Sequence, residues 1–142
     1  MVGYRAQFRG TPDSVRFARQ AVVDYARMCG FDTGDLADIG LAAGEALANA
    51  VEHGNKDLGF IDVRCAFADG TLVVEVGDSG EGFDSDVVTR KGRDPASVRG
   101  FGISIMHAIM DDIRYSHRGA VVRLMKRRHE AAAGASEERE RA

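Results

Sequence analysis

The fold is decided by one stretch of the sequence, GEALANAVEHG at residues 44–54. Within it, Glu45, Asn49 and His53 recur every four residues in an alanine-rich run. Because an α-helix turns by about 100° per residue, each step of four moves a side chain only about 40° around the axis. The pattern therefore predicts one line of a carboxylate, an amide and an imidazole along a helix, which indicates a site.

The remaining positions of this helix are predicted to pack against a sheet. The helix is expected to begin at Thr33 or Asp35 and to end at His53, with Gly54 as a left-handed cap. Its apolar residues lie on an arc nearly opposite to the polar line, which allows one side to face a sheet and the other a cavity. They are Leu36, Ile39, Ala43, Leu47 and Ala50.

The flanking sequence predicts an α+β fold. A first strand is expected at 2–9, and a first helix begins at Thr11-Pro12-Asp13 and stops at Gly30. Alternating residues predict strands at 60–68 and 71–77, joined by a turn at Asp69-Gly70. A long loop (78–99), a third helix (101–112) and a second hairpin (113–117 with 120–125, about Arg118-Gly119) follow.

We expect these elements to form a two-layer α/β sandwich, with a mixed, mostly antiparallel sheet covered on one face by helices. The chain of 142 residues fits one domain, predicted at 1–126, followed by a charged, disordered tail at 127–142.

Composition excludes several classes of protein. A net charge of −3 gives no general basic field for nucleic acid or an anionic membrane, so neither is expected as a direct partner. The sequence has no apolar run long enough to span a bilayer and no N-terminal apolar leader, which favours a cytoplasmic protein. Cys29 and Cys65 have apolar neighbours and are expected to be reduced packing residues.

Two glycine-rich stretches are further candidates for a site. In Asp78-Ser79-Gly80-Glu81-Gly82-Phe83, an acid at a strand end is followed by glycines that allow close approach of the backbone to a ligand. Its alternative interpretation is a solvated turn. Arg99-Gly100-Phe101-Gly102 opens the third predicted helix, where free N–H groups and the helix dipole favour an anion.

Taken together, the three stretches resemble the nucleotide site of the GHKL ATPase superfamily, which has the Bergerat-type ATP-binding fold. Glu45, Asn49 and His53 are similar to its N box, 78–83 to its first glycine box, and 100–102 to its second. The amino-acid sequences GEALANAVEHG (44–54) and GFGISIMHAIMDDIRYS (100–116) are similar to those of one branch, the anti-sigma-factor serine/threonine protein kinases.

The resemblance implies a role for each matching residue. Asn49 would coordinate Mg²⁺, and Glu45 would orient or deprotonate the attacking hydroxyl. Arg99 is the candidate for stabilising the γ-phosphate of ATP. His53 would either join the nucleotide site or stabilise the helix C-terminus. The remaining nucleotide contacts would come from Asp78 at the adenine, Gly80, Gly82 and Phe83 at the base and ribose, and Gly100, Phe101 and Gly102 at the phosphates.

The family implies a function and its partners. The chain is expected to phosphorylate a STAS-domain anti-anti-sigma factor, to sequester a sigma factor, and to form a homodimer. One departure favours an alternative: the final turn reads Gly119-Ala120 where the family usually has Gly-Thr. A non-catalytic switch, which binds ATP only to set its affinity for partners, is therefore the second hypothesis. A plain interaction domain without nucleotide is the third.

Overall fold

The computed structural model describes residues 3–53, 59–78, 87–88, 106–116 and 121–129. Within these residues, two helices and six strands have the order β1 (Tyr4–Arg9), α1 (Pro12–Met28), α2 (Thr33–His53), β2 (Phe60–Ala68), β3 (Thr71–Asp78), β4 (Val87–Val88), β5 (Asp112–Ser116) and β6 (Val121–Arg127). Residues 106–109 are also helical. No helix among the described residues is long and apolar enough to cross a membrane.

The strands form one sheet in the order β1-β2-β3-β6-β5-β4, and every described pairing is antiparallel. The helices cover one face, with α1 against β1 and β2, and α2 against β2, β3 and β6. The expected two-layer α/β sandwich is confirmed. The strand Val87–Val88 lies within the predicted loop 78–99, since two residues are too few to show an alternating pattern.

Local sequence signals explain where these elements begin and end. The Thr11 hydroxyl accepts a hydrogen bond from the Ser14 N–H at 3.4 Å, and Pro12 follows at the first helical position. Gly30 ends α1 with φ at +92°. At the predicted turn, Asp69 and Gly70 have φ of 52° and 76°, as a tight two-residue hairpin requires. The predicted helix start and hairpin are therefore confirmed.

The core lies between the helices and the sheet. Alternate side chains of β2 and β3 point into this core, and every third or fourth side chain of each helix packs against them. The largest fully buried side chains include Val22 of α1, Ile39 and Leu47 of α2, and Ile61, Val63, Leu72, Val74 and Val76 of the sheet. This packing holds α2, and with it the predicted polar line, against the central strands.

The face of the sheet away from the helices carries a buried carboxylate. Glu75 of β3 is only 9% exposed. It accepts a hydrogen bond from Arg123 Nε on β6 at 2.7 Å, and Arg64 Nη1 on β2 lies 3.5 Å from its other oxygen. One carboxylate therefore ties three neighbouring strands together by charge-assisted contacts.

The chain stays in contact with the fold beyond residue 126, as far as Arg128, and the predicted domain boundary stays a prediction. β6 runs to Arg127, and Lys126 is buried. The Arg128 N–H donates to the Gly70 carbonyl oxygen at 2.7 Å. The Arg128 guanidinium donates to the Cys29 carbonyl oxygen at 2.5 Å and lies over the Phe67 ring. Residues 130–142 of the predicted tail lie outside the described residues.

Both cysteines are free and buried, which confirms their expected packing role. Burial raises the pKa of the Cys65 thiol to about 12, and the nearby Cys29 adds to the shift. Burial is also the main reason that the pKa of Cys29 itself is raised. Since the thiolate is the reactive form, neither side chain is suited to act as a nucleophile near neutral pH.

These thiols predict a loss of stability in alkali. A thiol in the unfolded chain titrates near pH 8.5, so above this pH the unfolded state binds fewer protons than the folded state. Between pH 8 and 10 the free energy of unfolding should fall by about 2 kcal/mol through Cys65. Urea unfolding at each pH measures the change, and Cys65→Ala should flatten it. An equally steep fall in Cys65→Ala would contradict this assignment.

Candidate functional site

Helix α2 carries the candidate site and is held closely by α1. Arg19 Nε donates to the Gly40 carbonyl oxygen at 2.9 Å. A Cβ atom added at Gly40 would lie 2.9 Å from Arg19 Nη2 and 3.1 Å from Val23 Cγ2. A side chain at this position would therefore displace the Arg19 guanidinium and crowd Val23 on α1.

The predicted polar line lies on α2 away from its buried side. Ala46 and Leu47 are buried in the core, whereas Glu45 and Asn49 are half-buried. His53 is the last residue of the helix, and its side chain lies outside the described part of the structure. Glu45 and Asn49 are thus one turn apart on the same side, with a carboxylate next to an amide.

Asn49 has an unusual environment. Its Oδ1 atom is buried and has no hydrogen-bond partner among the described residues. Buried polar atoms in proteins are nearly always paired, so an unpaired acceptor oxygen needs an explanation. An amide oxygen is one of the ligands that hard cations such as Mg²⁺ accept. The atom therefore fits the metal-binding role that the resemblance implies for Asn49.

The described residues contain no group of three or more His, Cys, Asp or Glu side chains that would hold a metal ion. Mg²⁺ commonly binds through one or two protein oxygens, with phosphate oxygens and water completing its shell. A single amide oxygen on α2 agrees with this mode of binding.

Asp78 lies at the same end of the fold as the polar line. The chain leaves α2 at His53 and enters β2 at Phe60, and the next residue, Ile61, pairs with Asp78 at the end of β3. On the other side of β3, Gly77 pairs with Val121, the residue that follows Ala120. The end of β3 therefore lies between the start of β2 and the start of β6.

The other predicted site residues lie outside the described residues, and their roles stay predictions. They are Gly80, Gly82, Phe83, Arg99, Gly100, Phe101 and Gly102. The same holds for the turn at Gly119-Ala120 and for the cap at Gly54.

Lys126 is a buried charged residue at the predicted C-terminal boundary of the domain. Its ammonium donates to the Ile109 carbonyl oxygen at 2.7 Å and lies 3.9 Å from Asp35 Oδ1. A signal was present, because Lys126 follows Val122 and Leu124 at alternate positions and so belongs on their face of β6.

Comparison with known proteins identifies the family. The profile of the histidine kinase-like ATPase domain matches residues 8–126. The serine-protein kinase RsbW of Listeria monocytogenes serotype 4a is 31% identical over 133 residues, covering 84% of this chain and 83% of that protein. RsbW of Bacillus subtilis is 29% identical over 126 residues, covering 81% of this chain and 79% of that protein.

Other matches agree. The anti-sigma F factor of Clostridium botulinum (strain Alaska E43) is 25% identical over 130 residues, covering 85% of this chain and 91% of that protein. A crystal structure of the RsbU and RsbW domains of Rv1364c from Mycobacterium tuberculosis superimposes with a TM-score of 0.66 at 23% identity. That match covers 90% of this chain but 32% of the other, and it confirms the fold. The chain belongs to the histidine kinase-like ATPase domain family.

Proposed function

We propose that this protein is an anti-sigma factor with ATP-dependent serine/threonine protein kinase activity. Several relatives at 25–31% identity are named serine-protein kinase RsbW or anti-sigma F factor, and they match over most of their length. The ATPase family to which the chain belongs agrees with the use of ATP as phosphate donor.

One observation of the structure carries the proposal. Glu45 and Asn49 lie one turn apart on the same side of α2, and the buried amide oxygen of Asn49 has no hydrogen-bond partner among the residues that the structure describes. Phosphoryl transfer to a hydroxyl needs two groups from this helix. They are a ligand for the metal of MgATP and a carboxylate one turn away.

The proposed mechanism divides the work between these residues. Asn49 would hold the nucleotide's Mg²⁺, which would supply neutralisation of the phosphate charge. Glu45 orients the serine or threonine hydroxyl of the protein substrate and accepts its proton as the new oxygen–phosphorus bond forms. The bond from the γ-phosphorus to the leaving ADP oxygen breaks. Asp78 accepts a hydrogen bond from the adenine amino group.

The relatives' names support a protein substrate and a sigma factor as the proposed partners. The phosphorylated partner is a STAS-domain anti-anti-sigma factor, and the sequestered partner is a sigma factor. We further propose a homodimer. The protein would act in the cytoplasm, because ATP and the transcription machinery are both found there.

Phosphate transfer tests the function. Incubation of the protein with radiolabelled MgATP and a STAS-domain protein from the same genome should label a serine or threonine of that partner. Binding of MgATP with no transfer to any STAS-domain partner would favour the non-catalytic switch. Absence of MgATP binding in a calorimetric titration would overturn both hypotheses.

A further inference from the structure

The face of the sheet away from the helices carries a row of charged side chains that crosses five strands. Antiparallel pairing places Arg5 opposite Arg64, and Arg64 opposite Glu75. On the other side, Glu75 pairs with Arg123, and Arg123 pairs with Arg114. Because directly paired residues point to the same face of a sheet, these five side chains form one line, the arginine row.

The arginine row has more positive charge than its single carboxylate neutralises. Glu75 accepts a hydrogen bond from Arg123 Nε at 2.7 Å, and Arg64 Nη1 lies 3.5 Å from its other oxygen. Arg5 is exposed and forms no ion pair with any residue that the structure describes. Positive charge is therefore in excess at the end of the row formed by β1 and β2.

Stability alone does not explain this arrangement, because like charges directly opposite each other on neighbouring strands destabilise a sheet. The arginine row contains two such pairs, Arg5 with Arg64 and Arg114 with Arg123. Asp112 lies 2.9 Å from Arg114, which leaves the first pair more positive than the second. The side chains of Arg64 and Arg114 are 44% and 47% exposed, so a carboxylate from outside can reach each pair and relieve its repulsion.

A second row, of small and apolar side chains, lies beside the arginine row on the same face. Ala66, Val73 and Met125 are paired across β2, β3 and β6, two residues along each strand from the arginine row. Ala66 is exposed, and the other two are half-buried. Arginine and methionine are enriched in protein–protein interfaces. Neither row offers an aromatic side chain on which the bases of a single-stranded nucleic acid would stack, so the composition favours a protein partner.

The charge of the arginine row also contrasts with that of the whole chain. The chain has a net charge of −3, whereas the row holds four arginines and one glutamate. The row therefore reverses the sign of the potential locally, over a distance of about 8 Å at physiological salt. An acidic partner is attracted to this face in particular, and the rest of an acidic protein does not compete for it.

We propose that the arginine row is a docking surface for an acidic segment of a partner protein, bound in an extended conformation across the strands. The row covers four inter-strand spacings, or about 19 Å, which about six residues of extended chain span. Carboxylates of the segment bind at the two arginine pairs that end the row. The two pairs are centred about 14 Å apart, which corresponds to about four residues of extended chain. An uncharged residue lies over Glu75, which repels a third carboxylate. No residue of the row belongs to the candidate nucleotide site, so the proposal does not depend on the kinase activity.

Binding of a synthetic peptide tests the proposal. The probe is a fluorescent peptide of about seven residues with glutamate at its second and sixth positions and no other charge, and a reference peptide has glutamine at both positions. Fluorescence anisotropy should show saturable binding of the glutamate peptide to the wild-type protein at low salt. The Kd of the glutamine peptide should be at least about tenfold higher. Added salt should weaken the binding of the glutamate peptide, because the charges are exposed.

Two double variants that lose the same charge separate this surface from a general charge effect. Arg5→Gln with Arg64→Gln removes the more positive pair and should raise the Kd of the glutamate peptide at least about tenfold. The matched control, Arg16→Gln with Arg27→Gln, changes exposed arginines of α1 and should change this Kd by less than about twofold. If the first double variant does not fold, Arg5→Gln alone is measured and should raise the Kd about threefold.

The stability of Arg5→Gln distinguishes a docking role from a structural one. Arg5 forms no ion pair with a described residue, and its replacement relieves the repulsion with Arg64. The variant should therefore bind the glutamate peptide more weakly and, without peptide, resist urea at least as well as wild type. Weaker binding that comes with a clear loss of stability would show that Arg5 serves the fold, and would contradict the proposal.

Four further results would overturn the proposal. The first is that wild type does not bind the glutamate peptide, or binds the glutamine peptide equally well. The second is an unchanged Kd in the folded Arg5 and Arg64 double variant. The third is tighter binding of single-stranded oligodeoxythymidylate than of the peptide, lost in the same variant, which would assign the face to nucleic acid. The fourth is a wild-type dimer that the double variant converts to a monomer in sedimentation, which would assign the face to a second copy of the chain.

Discussion

Glu45→Gln is expected to slow phosphate transfer to a STAS-domain partner by about 10²–10⁴-fold. The change keeps the size and hydrogen-bonding shape of the side chain but removes the carboxylate that would accept the hydroxyl proton. Because Glu45 is half-buried beside Asn49 on α2, its loss should affect the chemical step more than nucleotide binding. Initial rates at saturating MgATP and partner measure the effect.

The comparison variant is Asp24→Asn, which changes an exposed carboxylate on the neighbouring helix α1. It should transfer phosphate at the wild-type rate. The Kd of Glu45→Gln for MgATP should stay within about threefold of wild type. Transfer by Glu45→Gln at the wild-type rate would remove Glu45 from its proposed catalytic role.

Asn49→Ala is expected to weaken MgATP binding by about 100-fold or more, because the variant loses its protein ligand for the metal ion. The structure also predicts an unusual result for the ligand-free protein. Asn49 Oδ1 is buried with no hydrogen-bond partner in the described part of the chain, so its removal relieves an unpaired polar group, and alanine favours the helix. The variant should therefore be at least as stable as wild type without nucleotide.

Thermal unfolding with and without MgATP measures both effects at once. At a ligand concentration of about 100 times Kd, wild type should gain about 2.7 kcal/mol, and Asn49→Ala should gain almost nothing. The control is Asp24→Ala on α1, an exposed carboxylate outside the proposed site, which should respond to MgATP as wild type does. A strong stabilisation of Asn49→Ala by MgATP would show that the metal ion is held elsewhere.

The elements predicted best from the sequence are those with local causes. The four-residue spacing on α2, the Thr11 cap of α1 and the turn at Asp69-Gly70 each depend on neighbouring residues, and the structure confirms all three. The order of the strands has no local cause. β3 pairs with β6 and not with β4, although β4 is nearer to it in the sequence. Only the packing of the whole sheet determines this pairing.

The same distinction explains why the contacts of Lys126 and Arg128 were not predicted. Both lie in a charged stretch, and Arg128 belongs to the segment predicted as a tail. Their partners are the carbonyl oxygens of Ile109 and Cys29, which lie 17 and 99 residues away in the sequence. Backbone carbonyls carry no side-chain signal, so no sequence pattern reveals that these cations have acceptors within the fold.

For the candidate site, periodicity placed Glu45 and Asn49 on one side of α2, and the structure agrees. It did not reveal that the Asn49 oxygen is buried without a partner, because burial depends on distant segments. The position of Asp78 beside the starts of β2 and β6 likewise depends on strand register.

The contact between Arg128 and Cys29 has a consequence for biosynthesis. When a ribosome has released α1, α2 and the first three strands, two parts of the fold are still missing. They are β6, which fills the centre of the sheet, and the Arg128 guanidinium, which binds the end of α1. One side of β3 therefore stays unpaired in the emerging chain until nearly the whole domain has been translated. Chaperones that recognise unpaired strands would have their longest opportunity to bind during that interval.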